Sequence, residues 1–154
     1  MSFDVSPAVS GSIVFCVTLI TVGICVALHY EGLSLLSRQH RARSGELGRW
    51  HVLTGIFAML SMHVAEIWIF AFAYAVLSLF PATGQIAMAS GAVDWFDRVY
   101  FSSVSYTTLG YGDLLPQGHV RLLAATEALV GLVMITWSAS FTFLQMDRYW
   151  REDA

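Results

Sequence analysis

Lysine is absent from this 154-residue chain, and charge of either sign is scarce, with Asp, Glu, Lys and Arg together making up 12%. A soluble domain carries about twice that share. With eight arginines, no lysine and a net charge of −3 there is no basic patch, which excludes nucleic acid as a partner. Cysteine is limited to Cys16 and Cys25. Nine helical residues put them on opposite faces with about 13.5 Å of rise between them, too far for a bridge. They read as small apolar residues. No nucleophile–base pair or metal-ligand cluster is legible at sequence spacing. The His63-Val-Ala-Glu66 stretch is not the HExxH of zinc proteases, so a membrane protease is set aside and no enzyme is expected.

What is present is apolar sequence in long runs. Hydrophobic residues are 56% of the chain and aromatic residues 14%. No charged residue lies between Asp4 and Glu31. Only Glu66 lies between Arg49 and Asp94, and none lies between Glu127 and Asp147. A membrane-crossing helix needs about 20 predominantly apolar residues. Three spans are therefore expected, roughly Val9 to Leu36, Trp50 to Phe80 (stopped by Pro81) and Val120 to Met146. The residues before the first span carry Asp4 and no basic residue, the wrong charge for a cleaved signal, so the first span is read as retained.

The arginines set the expected orientation. Arg38, Arg41, Arg43 and Arg49 lie in the link between the first two spans, and Arg148 and Arg151 follow the third. Two spans separate these basic segments, so both lie on one side, the cytoplasm by the positive-inside rule. A multi-pass protein of the cell membrane is expected, with its N-terminus outside and its C-terminus cytoplasmic. The segment from Pro81 to His119 is then outside. Its first part, Pro81 to Val93, reads as a Gly/Ala/Ser-rich loop. Residues 95–106 read as a short helix with Asp94 as N-cap and Asp97 in the first turn. Phe96, Val99, Tyr100 and Ser103 share one of its faces. Three turns cannot cross a bilayer. A short helix, a Gly-rich stretch and a full span make the plan of a re-entrant pore loop, in which non-helical backbone is buried in protein or lines water.

The Gly-rich stretch is Thr107-Thr108-Leu109-Gly110-Tyr111-Gly112-Asp113. It resembles the selectivity filter of the potassium channel family, usually TTVGYGD, with six of seven positions matching and Leu109 where Val is commoner. TVGYG is itself the standard illustration of carbonyl-based selectivity. The resemblance runs from about Val52 to Met146. It implies an all-α membrane protein of three transmembrane helices, with a re-entrant pore helix and selectivity filter. Residues 1–51 would be an extra N-terminal helix and basic link. Residues 52–154 would be the pore domain, with outer helix 52–80, pore helix 95–106, filter 107–113 and inner helix 120–146.

The chemistry behind that motif is specific. A dehydrating cation needs oxygens spaced as its water shell was, and successive carbonyls face one axis only when left- and right-handed backbone conformers alternate. Glycine enters the left-handed region without penalty. Ion-binding carbonyls are expected from Thr108, Leu109, Gly110 and Tyr111, with Gly112 completing the filter and Thr107 and Asp113 supporting it. The side chains of Leu109 and Tyr111 are expected to pack behind it. K+ at Thr108, Leu109, Gly110 and Tyr111 is the metal expected, with no other cofactor. One filter segment per chain implies a homotetramer surrounded by lipid.

Function is expected to be passive potassium-selective conduction. The alternatives are a less selective monovalent cation channel, or a non-conducting membrane sensor or partner subunit that kept the pore fold. The first two spans lack an arginine ladder, and with eight residues from Asp147 onward no ligand-binding domain is expected. Gating is therefore expected in the filter, the inner helices, the lipid or a protonation step. Gly131 resembles the family's hinge glycine, with helix packing as the equal alternative. Val133, Thr136 or Trp137, Ser140 and Leu144 make a cavity face at helical spacing. His63 and Glu66, one turn apart inside the second span, are possible gating residues, with a structural hydrogen bond favoured over sensing. Glu127 is a second packing carboxylate. His29 and Glu31 are expected to snorkel to the inner interface.

Overall fold

The computed structural model describes residues 7–42, 49–88 and 91–152. Four helices carry the fold. They are α1 (Pro7–Ala42), α2 (Arg49–Leu77), the short α3 (Trp95–Tyr106) and α4 (Arg121–Glu152). The windows Pro7–Arg38, Val52–Leu77 and Gly118–Asp147 are long and apolar enough to cross a membrane, with mean hydropathies of 2.5, 1.8 and 1.7. At 36 residues α1 is about 54 Å long and outruns the ~30 Å hydrocarbon core. The chain is thus the all-α membrane protein expected, with three spanning helices and one short helix.

One feature departs from the sequence reading. The stretch after Pro81 is not only loop. Residues Gln85–Met88 form β1 and pair antiparallel with β2 (Leu114–Gln117), in the register Gln85 with Gln117 and Met88 with Leu114. The Ala and Gly content of the surrounding loop hides a strand whose partner lies beyond α3. This ribbon joins the segment ahead of α3 to the segment behind the Gly-rich motif.

Helix α2 ends three residues before the expected limit. Pro81 has no N–H for the Leu77 carbonyl. The Phe80 N–H (2.9 Å) and the buried Thr83 hydroxyl (2.9 Å) take its place. Helix α3 begins with a capping box. The Asp94 carboxylate accepts from the Asp97 N–H, and Asp97 accepts from the Asp94 N–H, each at 2.8 Å.

The core lies where α3 wedges between α2 and α4. It is built from Phe70, Tyr74 and Leu77 of α2, Phe101 and Tyr106 of α3, and Leu123, Val130 and Met134 of α4, with Val14 and Cys25 of α1 packed on it. Tyr74 meets Phe101 edge-on, with ring centroids 5.1 Å apart. The opposite faces expose Phe15, Ile20, Phe57, Phe72, Leu129 and Phe143. Such a surface suits lipid and neighbouring helices. Cys25 is buried and Cys16 exposed, and neither is bridged.

Candidate functional site

The short helix α3 positions the Gly-rich segment directly. Its last residue is Tyr106, and the chain leaves it through N–H groups that turn back onto the helix. Thr107 N–H donates to Ser103 (3.1 Å) and Thr108 N–H to Ser105 (2.9 Å). Leu109 and Gly110 both donate to the Val104 carbonyl, at 2.9 and 3.1 Å. The Thr107 hydroxyl adds a bond to the Ser103 carbonyl at 2.7 Å. These bonds use the N–H groups of Thr107 to Gly110 and leave the carbonyls. Among the described residues, no N–H or hydroxyl donates to the carbonyls of Thr108, Leu109, Gly110 or Tyr111.

Thr108, Gly110 and Gly112 have φ of +58°, +55° and +84°, while no positive φ occurs at Leu109 or Tyr111. Handedness therefore alternates residue by residue. Thr108 is the one non-glycine residue with positive φ among those described, a costly conformation for an L-residue.

The side chains of the segment are open on the single chain, Leu109 being 55% and Tyr111 68% exposed. Tyr111 nevertheless lies back over α3, stacked on Tyr100 with an interplanar angle of 8° and centroids 6.5 Å apart. Desolvation raises the Tyr100 hydroxyl above its ordinary pKa, and the Asp113 carboxylate that it faces raises it further. Of the face Phe96, Val99, Tyr100 and Ser103, Phe96 is largely exposed. The core is made by the other side of α3, from Phe101, Ser102, Val104 and Tyr106.

Two buried polar clusters hold α3 in place. The first centres on Glu66, which is fully buried. His29 Nδ1 of α1 lies 2.9 Å from Glu66 Oε1. His63 Nδ1 lies 3.3 Å from Oε2 and 2.9 Å from the Tyr106 hydroxyl. The Tyr106 hydroxyl itself donates to Oε2. Ser138 of α4 closes the ring at 3.3 Å from His29 Nε2. A carboxylate at this depth costs at least about 2.5 kcal/mol if bare, and here it has three partners from three helices.

The second cluster joins Glu127 of α4 to the Tyr74 hydroxyl of α2 and the Ser102 hydroxyl of α3, both at 2.5 Å. Ser102 also reaches the Ile67 carbonyl at 2.8 Å. Glu127 is thus the packing carboxylate expected.

Three placements differ from the sequence reading or resolve it. His29 does not snorkel. It is fully buried, because α1 continues past it to Ala42 and carries it into the helix bundle. Trp137 stands beside it, with ring centroids 5.3 Å apart. Gly131 lies against the end of α3, where a Cβ would run into the Tyr106 carbonyl oxygen. The signal for His29 was present in the sequence as a histidine at the end of a charge-free run, which needs a polar partner if it is buried. Spacing along one helix cannot supply that partner from another.

An uncharacterized membrane protein of Bacillus subtilis (strain 168), YdjJ, is 44% identical over 48 residues. That match takes in 30% of this chain and 14% of the relative, so the chain spans a small part of that protein's length. No solved structure matches. Residues 62–146 match the family model described as ion channel, a segment that holds most of α2, all of α3, the Gly-rich motif and the body of α4. That is more than half of the chain, and the chain belongs to the ion channel family.

Proposed function

We propose that this protein is a potassium-selective channel and that residues 107–113 are its selectivity filter. The observation that carries the reading is the alternation of backbone handedness at Thr108, Gly110 and Gly112. It accompanies N–H groups turned onto α3 and four consecutive carbonyls with no donor among the described residues. A row of unclaimed carbonyls is what a dehydrated monovalent cation requires, and it has no structural use without one.

One chain provides one such row, and a ring of oxygens needs several copies about an axis. We read the assembly as a homotetramer, with the exposed side chains of Leu109 and Tyr111 covered by neighbouring subunits. The exposed residues Val133, Thr136, Ser140 and Leu144 of α4 then face the pore or the next subunit. The arginine bias puts the filter at the outer face of the membrane, with the C-terminus cytoplasmic.

Purified protein in liposomes tests this. Influx of K+ well above influx of Na+ under matched gradients is the expected result. Equal fluxes would reduce the reading to a cation channel of low selectivity. Absence of any cation flux across a range of pH and voltage would remove it.

A further inference from the structure

The buried ring around Glu66 offers more than hydrogen bonds. We propose that His29, His63, Glu66 and Tyr106 form a binding site for one divalent transition-metal ion per chain, of the Zn2+ class. This goes beyond conduction and does not depend on it.

The donor geometry carries the inference. The His29, His63 and Glu66 ligand atoms all lie within 4.8 Å of one another. The adjacent separations are 2.9 Å from His29 Nδ1 to Glu66, 3.3 Å from His63 Nδ1 to Glu66, and 2.9 Å from His63 Nδ1 to the Tyr106 hydroxyl. A tetrahedral ion with bonds of about 2.0–2.1 Å sets its ligand atoms about 3.3 Å apart. Small outward shifts of the side chains bring four donors to that spacing. Both histidines present the same ring nitrogen, Nδ1, to the same carboxylate.

The surroundings fit as well. His29 and Glu66 are fully buried, Tyr106 is 1% exposed, and the His63 side chain at 15% exposure leaves a way in. The far nitrogen of His29, Nε2, is 3.3 Å from the Ser138 hydroxyl. An outer partner of that kind fixes the tautomer and ring orientation of a metal-bound histidine. Two imidazoles and one carboxylate with no thiolate select an ion of intermediate softness over Ca2+ or Mg2+, which prefer shells of oxygen. A divalent ion also supplies the counter-charge that an ionised Glu66 needs away from water.

The site would tie together three helices. One of them, α1, lies outside the segment that matches the family, and the tie ends on Tyr106, the residue that precedes the Gly-rich motif. In this reading α1 exists in part to bring His29 to the base of α3.

The test uses the full-length protein in detergent, stripped with a chelator and titrated with ZnCl2. One zinc per chain, with a Kd in the micromolar range or tighter, is expected. So is a rise in Tm of roughly 5–10 °C at a hundredfold excess over Kd. His29→Ala and His63→Ala should each weaken binding at least tenfold, and Ser138→Ala by about tenfold. Substoichiometric zinc, or wild-type affinity in both histidine variants, would overturn the site and leave a hydrogen-bonded ring. If the histidine variants fail to fold, zinc K-edge absorption on the wild-type protein decides. A four-coordinate nitrogen/oxygen shell with imidazole scattering supports the site. A sulfur ligand, which would implicate the nearby Cys25, or a six-oxygen shell overturns it.

Discussion

Gly131 of α4 lies flush against the carbonyl of Tyr106, the last residue of α3, and a methyl group at position 131 has no room there. Helix α4 therefore approaches both the backbone and the ring of the residue that precedes the Gly-rich segment. A glycine here serves close approach, whatever bending it also permits.

Gly131→Ala should push α4 away from α3. Overpacking of this kind costs about 1–3 kcal/mol. The expected result is a lower Tm of the purified assembly together with reduced K+ flux. A variant with wild-type Tm and altered gating would assign Gly131 to hinge motion instead of contact.

Gly110→Ala should abolish K+ flux while the protein still reaches the membrane and assembles. Nothing within 4 Å would meet the new Cβ, so the penalty lies in the dihedral, with φ at +55°. That conformation costs an L-residue about 1–2 kcal/mol, and in the proposed tetramer the cost is repeated in every subunit. Wild-type K+ currents from Gly110→Ala would remove the filter from residues 107–113.

Glu127 joins three helices through hydroxyls of Tyr74 and Ser102. Glu127→Ala leaves the Tyr74 hydroxyl buried without its acceptor, at a cost of about 1–3 kcal/mol. Glu127→Gln retains an acceptor and should lose far less, within the ~0.6 kcal/mol typical of hydrogen bonds between membrane helices. Thermal unfolding of the two variants against wild type measures the difference. Equal losses would show that the charge of Glu127 matters and its hydrogen bonds do not.

Topology is checked by single cysteines at Ser2 and Ala154, with Cys16 and Cys25 replaced, probed in intact cells with an impermeant thiol reagent. Labelling at position 2 and protection at position 154 are expected. The reverse pattern would invert the orientation of the proposed pore.

Much of the architecture was legible in the chain itself. Length, the scarcity of charge and three long apolar runs require membrane-spanning helices, because a backbone in lipid must satisfy its own hydrogen bonds. The Asp94 and Asp97 pair marks the start of α3, because capping is a local interaction within four residues. The spacing of Gly110 and Gly112 announces alternating handedness, since glycine preference is a property of single residues. Tertiary structure decided the rest. The β1–β2 ribbon depends on a partner that follows α3, so no local pattern in the Pro81–Val93 stretch reveals it. His29 meets Glu66 from another helix, 37 residues away in sequence. Read along α1 it is a polar residue near an end, and only the packing of α1 against α2 and α4 makes it a buried partner. Gly131 likewise reads as hinge or contact with equal ease, until the carbonyl of Tyr106 is seen against it. Periodicity and residue preference act over a few residues, whereas these contacts join helices whose relative rotation the chain settles only on packing.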